Sequence, residues 1–206
     1  VILNSLESLK EFTADTIIDV RAPAEYADDH LPGAINLPVL DDTQRAEIGT
    51  VYTQVSPFMA RKKGAALVAL NAANHLQGPL AAKDGGWQPL IYCWRGGQRS
   101  KAFSIVLSEV GWRTNQLKGG YKEYRNQVVN FLENIGPRLK IILISGKTGS
   151  AKTRILKNIE IQGGQILDLE GLANHKGSLL GKIPDLIQPS QKYFESLVFD
   201  KITKLN

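Results

Sequence analysis

Pro89-Leu90-Ile91-Tyr92-Cys93-Trp94-Arg95-Gly96-Gly97-Gln98-Arg99 is the stretch that decides the fold. Pro89 to Tyr92 reads as an apolar strand that ends directly at Cys93; the chain then turns through two glycines into a helical pattern from about Arg99 to Val110. A strand feeding straight into a helix is half of a βαβ unit. Upstream, Thr16 to Val20 reads as a second buried strand and Ile35 to Leu37 as a third, with Leu31-Pro32-Gly33-Ala34 as the turn before it. Downstream, Asn115 to Leu117 is a short strand, and Gly119-Gly120 leads into a helix from Tyr121 to Ile135. Helical spacing also predicts Ser5 to Phe12, the acidic-fronted Asp41 to Gln54, and a long helix from Pro57 to His75 carrying the basic patch Arg61-Lys62-Lys63. Gln77 to Trp87, rich in Gly and Pro, is loop. Alternating strands and helices predict an α/β fold built on a parallel sheet.

Gly136-Pro137 breaks the last helix of this region and divides the chain into domains at 1–136 and 137–206. The charge changes there too. Lys/Arg and Asp/Glu balance at 14 each in the front segment but stand at 11 against 6 behind it, so the net charge of +5 lies in the rear, as a surface for phosphate-bearing partners or as a solvated basic face. In the rear segment, Lys140 to Ser145 reads as a strand, Lys152 to Glu160 as a helix and Gln165 to Leu169 as another strand. Between strand and helix lies Gly146-Lys147-Thr148-Gly149-Ser150-Ala151-Lys152-Thr153, the context a phosphate-binding P-loop requires. Lys152 is placed to reach terminal phosphates, and Thr153 could ligand Mg²⁺. Ala151 stands where the pattern has glycine, so the backbone there must accept a Cβ. Asp168 ends the second strand, either as an acid that orients metal-bound water or as an ordinary strand-end aspartate. Two strands are too few to cover both faces of a parallel sheet, which predicts a partial domain that continues past Asn206.

Cys93 is the only cysteine, which excludes an intramolecular disulfide and a thiolate-rich zinc site. No apolar run is long enough to span a bilayer, and the first residues lack the pattern of a secretion signal, so a cytoplasmic protein with no membrane partner is expected. The lone thiol is either packing or chemistry. Five residues separate Cys93 from Arg99, and a loop curled around a cysteine at a helix N-terminus points backbone N–H groups inward. Those dipoles favour an ionised sulfur and hold an anion beside it. Gly96 and Gly97 permit the curl, and Arg99 offers a forked donor suited to a tetrahedral oxyanion. Trp94, Arg95 and Gln98 complete the candidate anion loop, Trp94 as packing or as a stacking platform and Arg95 as substrate contact or surface charge.

Asp19-Val20-Arg21, Glu25 and His30-Leu31-Pro32-Gly33-Ala34-Ile35-Asn36-Leu37-Pro38 resemble the signature of the rhodanese family, whose active cysteine also follows a central strand. The resemblance makes Asp19, Arg21 and His30 scaffold groups. Ordinary sulfur-transferring rhodaneses have a loop one residue shorter. The longer form resembles cell-cycle tyrosine phosphatases and arsenate reductases, which implies a phosphate-sized guest. The expected fold is therefore a rhodanese-like parallel sheet domain followed by the start of a P-loop α/β domain.

That combination resembles the tRNA 2-selenouridine synthases, with further support from Ala46-Glu47-Ile48-Gly49-Thr50, Tyr92 to Ser100, Asp168-Leu169-Glu170-Gly171-Leu172-Ala173-Asn174-His175-Lys176-Gly177-Ser178, and Gln188-Pro189-Ser190-Gln191. The resemblance implies a transferase that replaces sulfur by selenium in wobble 2-thiouridine, with selenophosphate as donor, and that S-geranylates the same base from geranyl diphosphate. On that reading Cys93 attacks selenophosphate and carries selenium, or otherwise assists its delivery, while the P-loop grips a diphosphate. His175 becomes a candidate acid or base near the second site. The expected partners are tRNA, through Arg61, Lys62, Lys63 and the basic rear segment, and an enzyme that makes selenophosphate. A rhodanese-type sulfurtransferase, a Cys-dependent phosphatase, a P-loop kinase or ATPase and a non-catalytic tRNA-binding fragment remain open alternatives.

Overall fold

A computed structural model describes residues 13–147, 149–177, 181 and 183–205. The expected helix at Ser5 to Phe12 lies outside the described residues, as do Thr148 of the phosphate loop and Ser178. The chain divides into two compact units, 1–127 and 128–206.

The first unit is organised by a four-stranded sheet of order β2-β1-β3-β4, with β1 at Thr16–Asp19, β2 at Ala34–Asn36, β3 at Pro89–Tyr92 and β4 at Asn115–Gln116. Every pairing is parallel; Ile18 lies opposite Ile35 on one side and Ile91 on the other. β3 is buried along its whole length, as expected of a strand covered on both faces. Side chains alternate across it: Ile91 and Cys93 join the main apolar core, while Tyr92 points to the other face and accepts the Leu31 N–H on its hydroxyl.

Among the described residues five helices accompany the sheet: α1 at Pro23–Asp28, α2 at Asp42–Gln54, α3 at Pro57–Gln77, α4 at Gln98–Val110 and α5 at Gly120–Ile135, the last running into the second unit. Asp41 caps α2 through the Gln44 N–H, and Ser56 caps α3, where Pro57 follows without losing a needed donor. The core cluster joins Ile18, Val20 and Ile91 of the sheet region to Val68 and Ala72 of α3 and Phe103 and Leu107 of α4. Helix α2 contributes no buried residue. It packs on the core through the partly buried Ile48 and is tied down further by polar contacts, Asn71 to Gln44 at 2.8 Å and the Lys63–Glu47 ion pair.

On the other side of β3, Asp19, Arg21 and Asp29 form a buried polar network. Arg21 donates to Asp19 and to the Asp29 carbonyl, and its guanidinium lies 3.9 Å from the Tyr121 ring centroid. Burial opposes the Arg21 charge, but the hydrogen bond and charge of Asp19 outweigh it and the pKa is raised. His30 stacks on Tyr26 and its Nδ1 lies 2.9 Å from the Tyr26 carbonyl; burial pulls its pKa down. These groups hold structure together rather than face a substrate.

The second unit contains α6 at Lys152–Ile161, a short α7 at Leu169–Leu172 and α8 at Gln191–Thr203, with Phe131 packed edge-on against Phe199. The strands expected at Lys140 to Ser145 and Gln165 to Leu169 are not formed. Ile141, Ile142 and Leu143 are 67, 93 and 83% exposed, and neither segment pairs with another among the described residues. A β-branched run has strand propensity, but a strand exists only where a neighbour takes its backbone hydrogen bonds.

Candidate functional site

Cys93 sits where β3 ends, 3% exposed, and the next six residues curl back over it into α4. The Gly97 N–H donates to Sγ at 3.2 Å, and the Ser100 hydroxyl lies 3.2 Å from the same sulfur. Ser100 is fully buried in the first turn of α4 and also donates to the Gly97 carbonyl. The sulfur therefore lies at the N-terminus of a 13-residue helix with the Gly97 amide directed at it and the Ser100 hydroxyl oxygen alongside.

The curl depends on glycine at Gly96, which has φ +65° and whose added Cβ would come 2.6 Å from the Leu117 carbonyl. Gly97 has φ −97° and open space around it, so it supplies a donor rather than a special conformation. A second glycine pair, Gly119-Gly120, backs the loop from the turn between β4 and α5. Gly120 has φ +59°, and a Cβ there would run into the Cys93 carbonyl and come 2.6 Å from the Gly96 nitrogen. The backbone hydrogen bonds Tyr121 N–H to Cys93 O and Lys122 N–H to Trp94 O, each 2.9 Å, lock the two segments together.

The remaining loop residues separate into two groups. Trp94 (41% exposed) tilts against the Tyr121 ring with centroids 5.3 Å apart, whereas Arg95 and Gln98 are exposed. Arg99, expected to close the bowl, instead directs both Nη atoms to Glu25 of α1 at 2.7 and 3.3 Å. The cause lies in Glu25. Burial pushes its pKa up, but the hydrogen bond and charge of Arg99, the Ala22 N–H and the Arg45 charge outweigh burial and hold it below the usual carboxylate range. Glu25 was legible as part of the signature; its partnership with Arg99, 74 residues away, had no local signal.

In the second unit, the loop Gly146 to Thr153 turns into α6 as its sequence requires. Lys152 folds back so that Nζ donates to the carbonyls of Gly146 and Lys147 at 3.0 and 3.2 Å, and the Ser150 N–H donates to the Lys147 carbonyl. Ala151 caps α6 in the left-handed region, at φ 60° and ψ 23°. This conformation costs an L-residue on the order of 1–2 kcal/mol, partly recovered in the unfolded chain because glycine is the more flexible residue there. Ala151→Gly is therefore expected to stabilise this unit by about 1 kcal/mol, read as a raised midpoint in thermal or urea unfolding.

Asp168 does not end a strand; its carboxylate caps α7 by accepting the Gly171 N–H at 3.0 Å. That use offsets the orphan donors of the helix start, which is why an aspartate stands there. His175 accepts the Gly177 N–H on Nδ1 at 3.1 Å, which puts the proton of the neutral ring on Nε2. Among the described residues no group of three or more His, Cys, Asp or Glu side chains is arranged to hold a metal ion, and no helix is long and apolar enough to cross a membrane.

Comparison with known proteins bears on both units. Residues 3–127 match the rhodanese-like domain, and residues 139–206 match the tRNA 2-selenouridine synthase AAA domain. The chain is 38% identical over 196 residues to the tRNA 2-selenouridine synthase of Nitrosomonas europaea, covering 94% of this chain and 50% of that protein. It is 38% identical over 181 residues to that of Bdellovibrio bacteriovorus, covering 87% and 47%. The chain thus spans about half the length of these curated relatives. The crystal structure of an N-terminal domain from Clostridium difficile 630 superposes with a TM-score of 0.53 at 34% identity, covering 63% of this chain and 98% of that one.

Proposed function

The chain belongs to the tRNA 2-selenouridine synthase family, rhodanese-like over 3–127 and matching the AAA domain of those synthases over 139–206, and from that premise we propose that it serves to replace sulfur by selenium in wobble 2-thiouridine of tRNA. The observation that carries the reading is the Cys93 sulfur at the start of α4, receiving the Gly97 N–H within a loop long enough for a phosphate-sized anion.

Two steps follow, each with its own residues. In the first, the 2-thio sulfur attacks C1 of geranyl diphosphate; a C–S bond forms, the C–O bond breaks and diphosphate leaves. Lys152 and the start of α6 stabilise that leaving anion, which needs no nucleotide hydrolysis. Mg²⁺ would assist the same anion. Because the Asp168 carboxylate is engaged as a helix cap, Thr153 is the remaining expected ligand, and no step is routed through the metal. In the second, the Cys93 thiolate attacks the phosphorus of selenophosphate. An S–P bond forms as P–Se breaks, and hydroselenide leaves to attack C2 of the geranylated base, expelling geranyl thiolate. Water then removes the phosphoryl group from sulfur as orthophosphate. No atom is oxidised or reduced. Arg95 flanks the phosphoryl oxygens in this account, Arg99 joins it only on leaving Glu25, and Cys93 assists selenium delivery through the phosphoryl group rather than carrying selenium itself.

The test is mass analysis of wobble nucleosides after 2-thiouridine tRNA is incubated with geranyl diphosphate and then selenophosphate. Geranylated and selenated nucleosides are expected in that order. For Lys152→Ala, geranylation should fall about 10²-fold while selenation of pre-geranylated tRNA persists. Equal loss of both activities would contradict the division between the two sites. Aryl-phosphate hydrolysis with no change in the tRNA would favour a Cys-dependent phosphatase instead.

A further inference from the structure

All three tryptophans lie in the first unit, and they stand in two different settings. Trp87 and Trp112 are buried, meet edge to face with ring centroids 5.1 Å apart, and direct their indole N–H groups to Thr16 Oγ1 at 3.0 Å and the Asp84 carbonyl at 2.7 Å. Both are core residues with their one donor engaged. Trp94, the residue after Cys93, is exposed, and its indole N–H meets no acceptor among the described residues. It leaves a flat apolar face and a free donor at the mouth of the thiol loop.

That indole is held in place from behind. Its ring leans on the buried Tyr121 ring, with centroids 5.3 Å apart and planes 38° from parallel. Tyr121 is itself fixed on two sides: its hydroxyl donates to the buried Asp29 carboxylate at 2.7 Å, and the Arg21 guanidinium lies 3.9 Å from its ring centroid. The Trp94 backbone is pinned as well, by the Lys122 N–H donating to its carbonyl at 2.9 Å. A guanidinium, a phenol and an indole therefore follow one another outward from the interior to the solvent beside Cys93. Arg95 and Lys122, the exposed residues that follow Trp94 and Tyr121 in the chain, add cations suited to a phosphodiester backbone.

The amides of the loop account for a tetrahedral anion, and such a guest makes no use of a flat apolar ring. The second reactant does. Resting on the function proposed above, we infer that Trp94 is the platform on which the pyrimidine ring of the acceptor nucleotide stacks while its C2 faces the Cys93 loop. Every base has a π-face, so stacking supplies position rather than choice of base. The unengaged indole N–H suits a ring with acceptors at its edge. Because its backing is rigid, the platform fixes the acceptor ring without an ordering cost of its own.

The experiment follows the fluorescence and affinity of the whole chain as it binds an anticodon stem-loop RNA with 2-thiouridine at the wobble position, beside the same RNA with an abasic site there. Trp94 is the exposed fluorophore, so stacking should quench emission with the thiouridine RNA and leave it largely unchanged with the abasic one. The base should also tighten binding by about tenfold. Trp94→Ala is expected to abolish that tenfold difference by weakening the thiouridine RNA alone, whereas Trp94→Phe, which keeps a stacking face, should retain most of it. A purely structural tryptophan would weaken both RNAs alike. Thermal unfolding of each variant reports whether it folds, and the quenching comparison in the wild-type chain decides the matter without any variant. Equal quenching and equal affinity for the two RNAs overturn the inference, as does a base dependence that survives in folded Trp94→Ala or is lost as completely in Trp94→Phe. Those results, beside intact Cys93-dependent selenation, leave the proposed function standing. Failure of the chain to bind either RNA overturns that function and the platform together.

Discussion

Cys93→Ala is expected to lower selenation of geranylated tRNA by about 10³-fold or more, while geranylation of 2-thiouridine continues. In the mechanism proposed above, removal of the nucleophile eliminates the S–P bond through which hydroselenide is released, and Cys93 is the one cysteine of this sequence. The fold should tolerate the change. Ser100 keeps the Gly97 carbonyl as a partner when the sulfur is gone, and Gly97, an exposed residue, can turn its N–H to water. The residual cost is a small cavity at a 3%-exposed site, about 1 kcal/mol. Single-turnover selenation measured beside the thermal midpoint separates the two effects. A Cys93→Ala chain that unfolds normally and selenates at the wild-type rate would remove the thiol from the mechanism.

Gly120→Ala has a different target and a comparable effect. At φ +59° an alanine pays the left-handed penalty, on the order of 1–2 kcal/mol. Its Cβ would also occupy space held by the Cys93 carbonyl and the Gly96 nitrogen, both backbone atoms that cannot rotate away. Overpacking of this kind adds about 1–3 kcal/mol. The sum, roughly 2–5 kcal/mol, should lower the thermal midpoint of the first unit by about 10 °C or more. Relief can come only by pushing the thiol loop outward, so selenation should fall even in molecules that remain folded. Gly97→Ala is the comparison: no atom lies within 4 Å of its added Cβ, and its cost should stay under about 1 kcal/mol. Equal midpoints for the two variants would show that the β4–α5 turn does not support the loop.

The front unit was legible because its signals are local. Apolar runs at Thr16–Asp19 and Pro89–Tyr92 fall within a residue or two of their expected limits, and so does the helix that follows Cys93. Helix α1 escaped notice. It is six residues long, too short for periodicity, and its one clear sign is Pro23 at the start with Glu25 returning to the Ala22 N–H. Helix α8 was also missed, although Ser190 caps it through the Tyr193 N–H. In the rear unit the error ran the other way: Ile141 to Leu143 has the composition of a strand without a pairing neighbour, and composition reports only half of what a strand needs. At the site, the cysteine loop with its glycines and the start of the helix after Ala151 could be placed from sequence. The engagement of Arg99 by Glu25, the capping role of Asp168 and the backing of Trp94 by Tyr121 could not, because each depends on which segment arrives alongside.

The Glu25–Arg99 pair leaves the guanidinium beside the thiol loop already neutralised, with both Nη atoms on one carboxylate. An anion drawing on that guanidinium has to part it from Glu25, and would carry the cost of leaving a half-buried carboxylate without its partner.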